Sequence, residues 1–576
     1  MTMKRWTVLF LAALGAVTAF GERTEIRPIP LGAAANAARI DAEAADGKGG
    51  WLDLGSNDLH VLPAGLRDFG GIPFDIPPDA GEDGKTCLVL GRPNGARTAT
   101  VEVPEGISGK VLYLLHATAD AEALLNVKVG AVVLTYADGS TKRQDVSGRR
   151  DAADWMSGRS FQNCVRVWSE YNHNTQVSLF VSQFAVDRAQ ALRRISFEAT
   201  GKCPWMVVGM SLGEKRSVKR IEAPLLLTKT YRLPTPPESP LARPVPGQRP
   251  KNVILIIGDG MGRGAIGFTS TYCRGREKAL LIEQFPVATT CTTVSVEGKT
   301  TDSAAAATAL ATGSKTMNGM LGLRARSDAE RKSATRLVPF SERLHARGVS
   351  VGLLTNDPLF GATPSGFYAH VSGRGEAGKI AAQAAESGFE ILIGNSATLQ
   401  AFSRDDMAAH GYVAATTPTE LRAADPAAKV FGAIDFGDDE EGLSRGVAEV
   451  IRRLARNERG FFLMAESATP DHGSHSNIPM GTVMGVAQVD WMAKVALDFA
   501  TARGDTLVLV TGDHETGGVN FAKGVSGKVE ITYTTTGHTE RPVAFYAYGP
   551  GAERFEGGID NTDVAKIVSS LLMPEP

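Results

Sequence analysis

Val253-Ile-Leu-Ile-Ile-Gly-Asp-Gly-Met-Gly262 opens on five unbroken aliphatic residues and closes in a turn carrying three glycines. Such a run, bounded by glycine, reads as a strand buried on both faces, and the glycines let backbone approach a ligand closely. Similar apolar runs recur at 349–354, 390–393, 461–464, 506–510 and 543–548, with amphipathic stretches near 341–347, 376–386, 442–455 and 483–503 between them. This rhythm predicts an α/β fold over 251–576: a predominantly parallel central sheet flanked by helices on both faces. Sheets of this kind place their sites outside the carboxyl ends of the strands. The polar residues that follow each run are therefore the first candidates.

Asp259 follows the first run, Glu466 with Asp471, His472 and His475 follows 461–464, and Asp513-His514 follows 506–510, while His538 precedes 543–548. The donors are nitrogen and oxygen only, which suits zinc and magnesium. Asp471 and His475 are four residues apart, so one helical turn puts both on a single face. His345 and His370 sit outside these clusters and read as structural. Lys299-Thr-Thr-Asp-Ser-Ala-Ala-Ala-Ala-Thr-Ala-Leu310 is a second landmark. Its alanine run has the best intrinsic helix propensity, with Asp302 and Ser303 at the start. A plain capping role is the simpler reading of Ser303 taken alone. At a helix N-terminus, however, unpaired N–H groups and the dipole favour an anion and ease ionisation of a hydroxyl.

Upstream, seven prolines between Pro234 and Pro250 read as a stiff, extended linker over 231–250. Before it, residues 24–230 hold short strand-like runs such as 111–115, 131–136 and 205–210, with Asp138-Gly139 as a turn signal. These predict an all-β sandwich, and the segment resembles modules of jelly-roll type. Lys4 and Arg5 precede the apolar run Trp6 to Phe20, and small residues near Ala19 and Gly21 offer cleavage sites, so 1–21 reads as a signal peptide and the chain as exported, periplasmic or secreted. No later segment reaches the roughly 18 apolar residues that suggest a membrane span. The 576 residues are 43% hydrophobic and 22% charged with a net charge of −2, a globular composition that gives no support to nucleic-acid binding. Five cysteines with no CxxC spacing argue against a thiolate zinc site.

Taken together, Gly258-Asp-Gly-Met-Gly262, Thr301-Asp-Ser-Ala-Ala305, Ala362-Thr-Pro364 with Arg374, Glu466 with Asp471 and His475, Gly512-Asp-His514 and Gly537-His-Thr539 resemble the alkaline phosphatases, in that family's order. The resemblance implies a phosphoric monoester hydrolase with two zinc ions and one magnesium ion, and leaves a homodimer open. By motif, Asp471, His475 and His538 would bind one zinc. Asp259, Asp513 and His514 would bind the other, which also contacts the nucleophile Ser303. Thr363 and Glu466, with Asp259 bridging, would hold magnesium, and Arg374 would hold two phosphate oxygens. The implied chemistry is attack by Ser303, a phosphoserine, and its hydrolysis. Around Gly50-Trp-Leu-Asp-Leu-Gly55 and Tyr136-Ala-Asp-Gly-Ser140 the sandwich resembles galactose-binding-like modules of extracellular hydrolases, which implies carbohydrate contact; a stabilising or spacing role is the alternative.

One position departs from the family pattern. Two residues before Thr363, where the family commonly has Asp or His, this chain has Gly361. The expectation is a weakly binding magnesium site that Gly361→Asp would tighten, with His472 beside Asp471 tuning the site or holding a phosphate-linked water. Competing readings are a phosphodiesterase or phosphoglycerate mutase of the same architecture, and an inactive phosphatase domain serving a glycan-binding protein. The Asp302-Ser303 motif and Arg374 favour monoester hydrolysis, and no Cys-x-Pro-x-Arg context supports a sulfatase.

Overall fold

The computed structural model describes residues 25–573 apart from 42–49, 53–57, 79, 82–83, 120–126, 173–175, 188–189, 222–224, 227–229, 438 and 524–528. The expected signal peptide at 1–21, and Asp53–Gly55 of the carbohydrate-module resemblance, lie outside the described residues.

The amino-terminal half is a sandwich of two antiparallel sheets. The larger sheet runs Arg27–Ile29, Trp205–Gly213, Val111–Thr118, Gln176–Ala185, Val165–Tyr171, with Leu88–Leu90 also pairing Trp205–Gly213. The smaller runs Thr98–Glu102, Leu192–Ala199, Lys128–Tyr136, Thr141–Ser147. Leu112, Leu114 and Leu212 of the larger sheet pack against Val132, Leu134, Ile195 and Phe197 of the smaller. The opposite face of the larger sheet is also covered: Tyr113, Leu115 and Leu179 lie under Trp51, Phe74 and Trp155. Burial on both faces is why Val111–Thr118 reads as an unbroken apolar run instead of an alternating one.

The carboxy-terminal half is built on a ten-stranded sheet. Its strands are β1 (Asn252–Gly258), β2 (Val287–Thr292), β3 (Ser350–Thr355), β4 (Ile391–Gly394), β5 (Tyr412–Ala415), β6 (Lys429–Ala433), β7 (Phe461–Ser467), β8 (Thr506–Gly512), β9 (Val543–Tyr548) and β10 (Ile559–Asp560). Across the sheet they run β5-β6-β4-β3-β7-β1-β8-β9-β2-β10, parallel from β5 to β8, with β9 antiparallel to both β8 and β2. Two apolar clusters cover the two faces; Leu255 and Leu509 point into one, Ile254, Ile256 and Val508 into the other. Each such fully buried aliphatic contributes about 1.5–3 kcal/mol relative to exposure. The register sets Gly258 beside both Ser467 and Gly512. Because the three strands are parallel and end level, whatever follows each one emerges at the same edge.

The proline-rich segment is extended and lies against the α/β body. Tyr231 is buried with Phe268 and Val483, and Leu233 and Leu241 pack on the sheet's helical layer. Arg274 donates to the Leu233 and Pro234 carbonyls, and Leu225–Leu226 pairs antiparallel with Val529–Thr532. Among the described residues, no helix is long and apolar enough to cross a membrane.

Candidate active site

β1 ends at Gly258, and Asp259 turns back so that its N–H donates to the Ser467 carbonyl at the end of β7. The next residue, Gly260, has φ +65°, and a Cβ there would stand 2.7 Å from Asp471 Oδ1 and from Thr516 Oγ1. Only glycine lets the chain pass this close. Its N–H donates to Asp513 Oδ1 at 3.0 Å. Ser303 is the first residue of the helix Ser303–Thr312 and is buried. Asp302 caps that helix by accepting from the Ala305 N–H, and accepts as well from the Gly319 N–H at 3.0 Å and Arg374 Nη1 at 3.3 Å. Ser303 Oγ lies 3.2 Å from His514 Nε2.

Two donor groups converge beside this hydroxyl. In the first, His475 Nε2 is 3.2 Å from Asp471 Oδ2 and 3.1 Å from His538 Nε2, which is 3.7 Å from Asp471 Oδ1. In the second, His514 Nε2 is 3.4 Å from Asp259 Oδ1 and 3.2 Å from Asp513 Oδ2. The His514 and His538 rings stack at 3.6 Å, so the groups are neighbours. Thr363 Oγ1 donates to the second oxygen of Asp259 at 3.4 Å, and Thr355 Oγ1 at the end of β3 donates to Glu466 Oε2 at 2.5 Å. The structure thus brings Asp471, His475 and His538 together, brings Asp259, Asp513 and His514 together, and sets Thr363 against Asp259, while Glu466 is held by Thr355.

The tautomers follow from the partners. His475 Nδ1 faces the Thr536 carbonyl and His538 Nδ1 the Thr301 carbonyl at 2.8 Å. A carbonyl only accepts, so both Nδ1 atoms carry the proton and both Nε2 atoms present lone pairs. Thr516 donates its hydroxyl proton to Asp471 and faces His514 Nδ1 at 3.2 Å, which leaves Nε2 as the lone-pair nitrogen there too. Among the described residues, buried Asp259 Oδ1 and Asp513 Oδ2 have no hydrogen-bond donor. Lone pairs and carboxylate oxygens facing each other at this range repel unless a cation lies between them, so the donor set fits divalent metal ions.

The charges say the same. Burial, reinforced by Asp513, Asp471 and Glu466, holds the Asp259 carboxyl well above the usual carboxylate range. Burial and the nearby Asp357 push Glu466 up to about 8, and burial with Asp471 pushes Asp513 up to about 7. Burial works in the same direction at Asp471, but the three histidines outweigh it and hold that carboxyl low. Burial depresses His514 and His538.

Two expected residues stand further out. The Arg374 side chain is 44% exposed and reaches Asp302, one residue from Ser303. His472 is exposed, and its charge is felt by Asp357. Sequence reasoning missed Asp357, Thr355 and Thr516. The strand-end rule could have found Thr355, which closes the 349–354 run. Asp357 carried no signal: a Cβ on Gly361 would stand 2.8 Å from its Oδ2, so its carboxylate lies where a longer side chain at 361 would begin. Arg149 of the sandwich was also missed: burial lowers His475, the hydrogen bond and charge of Asp471 with the Thr536 carbonyl outweigh it and raise the imidazole, and the Arg149 charge opposes them.

The alkaline phosphatase family model matches residues 250–397 and 437–529. Alkaline phosphatase 4 of Bacillus subtilis is 27% identical over 418 residues, covering 56% of this chain and 88% of that protein. The alkaline phosphatase of the Antarctic bacterium TAB5 superposes with a TM-score of 0.51 at 27% identity, covering 57% of this chain and 99% of that one. A histidine-to-glutamate variant of the TAB5 enzyme, with magnesium bound in its M3 site, superposes with a TM-score of 0.50 at 26% identity, over 57% and 99%. Through its carboxy-terminal α/β half, the chain is similar to the alkaline phosphatases.

Proposed function

We propose that this chain hydrolyses phosphate monoesters through Ser303, at a site that holds two zinc ions and one magnesium ion. The observation that carries the reading is the Ser303 hydroxyl, at a helix N-terminus and 3.2 Å from His514 Nε2, beside two converging sets of nitrogen and oxygen donors. Asp471, His475 and His538 would hold one zinc, Asp259, Asp513 and His514 the other, and Asp259, Thr363 and Glu466 the magnesium. Bound divalent ions would ease ionisation of the Ser303 hydroxyl and neutralise charge on the phosphoryl oxygens. The Ser303 oxygen forms the bond to phosphorus as the ester oxygen departs, and the free N–H groups of the first helical turn favour the negative charge that gathers there. Arg374, tethered by Asp302, has the planar fork that grips two phosphate oxygens. Thr516 fixes Asp471 and His514 against each other, and the Thr301 and Thr536 carbonyls fix the imidazole planes.

The remaining organisation proposed is a signal peptide at 1–21 that directs export, a sandwich at 24–230, a linker at 231–250 and the catalytic domain at 251–576. The test is turnover of an aryl phosphate by the purified chain before and after chelation, with zinc and magnesium restored separately and metal content measured by mass spectrometry. The reading expects activity that chelation abolishes and both ions together restore. Full turnover in the chelated, metal-free protein would refute it.

A further inference from the structure

Arg374 stands between two glycines, in Ser372-Gly-Arg-Gly375. A Cβ on Gly375 would meet nothing within 4 Å, and one on Gly373 nothing nearer than Glu376 Oε1 at 3.7 Å, so packing demands neither glycine. Glycine on both sides adds to the backbone freedom that the loop must lose to hold one shape. The Arg374 side chain is itself 44% exposed. A guanidinium on a loose loop binds phosphate less tightly than one held in place, because ordering the loop and the side chain costs free energy at the moment of binding. Whatever fixes this loop therefore bears on phosphate affinity.

The ties can be followed outward. Glu376 accepts from the Gly373 N–H at 3.0 Å and the Ser372 hydroxyl at 3.1 Å, and the Arg374 N–H donates to the Gly319 carbonyl at 2.7 Å. The 318–319 segment is built around Asp302, the cap of the Ser303 helix. Asn318 Oδ1 accepts from the Asp302 N–H at 3.0 Å, and the Gly319 N–H donates to Asp302 Oδ2 at 3.0 Å. Arg331 joins the two segments. It lies in the 3-10 turn Asp328–Ser333, within an excursion whose arms, Leu323–Arg324 and Thr335–Arg336, pair antiparallel. Its Nη2 donates to the Asn318 carbonyl at 2.9 Å, its Nη1 to the Ser372 carbonyl at 3.3 Å and its Nε to Asp328 Oδ1 at 2.9 Å.

We propose that Arg331 is a positioning residue for phosphate binding: its guanidinium fork clamps the Arg374 loop to the segment that holds Asp302, so that Arg374 is in place beside Ser303 before a phosphate arrives. A bond to either carbonyl would pin the 323–336 excursion to the body. Bonds to one carbonyl from each segment fix the distance between the segments as well, which a planar, doubly donating side chain does and a point charge does not. The role assigned to Arg331 rests on the reading of Ser303 and Arg374 as a phosphomonoester site.

The experiment measures inorganic phosphate binding to the full-length, metal-loaded chain by calorimetry, with KM for an aryl phosphate alongside. Arg331→Met keeps the apolar stem and removes the donors at a partly exposed position. It should weaken phosphate binding about tenfold, with KM rising in step, as loss of preorganisation predicts. In an Arg374→Ala background the same change should cost less than about twofold, since the clamp acts only through Arg374. Arg331→Lys should recover part of the affinity. Unchanged phosphate affinity in Arg331→Met overturns the clamp, and so does an equal loss with and without the Arg374 side chain, which is what a merely structural role would give. Failure of the phosphatase reading has a different signature: no monoester is turned over, while the coupling between positions 331 and 374 persists in phosphate binding.

Discussion

Gly361 is the residue at which local sequence and three-dimensional structure give different advice. Its missing side chain predicts a poorly furnished magnesium site and a gain from Gly361→Asp. The folded chain brings Asp357 into that space through a tight turn in which the Gly361 N–H donates to the Pro358 carbonyl at 2.7 Å, while the Asp357 carbonyl accepts from Asn395 at 3.0 Å. A new carboxylate at 361 would meet an existing one, and like charges at that range oppose each other. Gly361→Asp is therefore expected to weaken magnesium binding, and Asp357→Asn to weaken it about tenfold. The double variant Gly361→Asp/Asp357→Gly should return toward the original affinity. Calorimetric titration of magnesium into zinc-loaded protein checks all three; tighter binding in Gly361→Asp alone would restore the sequence-based expectation. Asp259, Asp513 and His514 were legible because they follow strand ends, and Asp471 and His475 because they share one helical turn beyond a strand end, while His538 was legible as a polar residue shortly before a strand. Asp357 was not, because its placement depends on a loop turn and on Asn395, 38 positions away by subtraction of the residue numbers.

At the scale of elements, the central strands were legible because burial on both faces demands continuous apolar sequence. Tyr412–Ala415 and Lys429–Ala433 were missed because they are short and mix in small or charged residues. The helix Arg263–Arg274 was missed for a different reason. It contains Gly264 and Gly267, poor helix formers retained because a Cβ would stand 2.1 Å from the Val519 carbonyl oxygen or 2.7 Å from the Phe521 ring. Packing overrides propensity there. The helix Ser303–Thr312 obeys the same constraint in reverse. Its alanines are both good helix formers and the largest residues that fit: a Cβ on Gly366 would already stand 2.6 Å from Ala307 Cβ. Ala307→Leu should cost about 1–3 kcal/mol by overpacking, and it should lower kcat because the shift is transmitted to Ser303 four residues before it. Thermal unfolding and turnover measured together test this. An unchanged melting temperature would mean the helix has room that its neighbours do not reveal.

Across the whole molecule, composition and the proline run announced two different halves but not how they meet. Strand pairing between Leu225–Leu226 and Val529–Thr532, and the burial of Tyr231, depend on surfaces whose partners no periodicity encodes. The halves should also differ in their response to acid. In the sandwich, His116 is fully buried; its Nδ1 accepts from Trp205 Nε1 at 3.0 Å and its Nε2 faces Ser182 Oγ at 2.8 Å. Ser182 donates to the Asp151 carbonyl, so the imidazole is satisfied as a neutral donor and acceptor. Burial depresses it from 6.5 to about 4, with Asp151 opposing weakly. A histidine depressed in the folded state contributes stability that is present above pH 6.5 and lost as pH falls through about 4. At about 1.4 kcal/mol per unit the contribution is about 3 kcal/mol. Calorimetric unfolding at pH 7.5 and 4.5 should show the sandwich losing stability, and His116→Gln, which can keep both contacts, should reduce that loss. Equal losses in the two proteins would remove His116 as the cause.

Catalysis through Ser303 requires a bond between its oxygen and phosphorus. Metal-loaded chain mixed with a phosphate monoester, quenched in acid within the first turnover and mapped by peptide mass spectrometry, should carry phosphate on Ser303; Ser303→Ala should carry none and lose about three or more orders of magnitude in kcat, in the range that removal of a nucleophile costs. Phosphate found on any other residue, or turnover undiminished in Ser303→Ala, would contradict it.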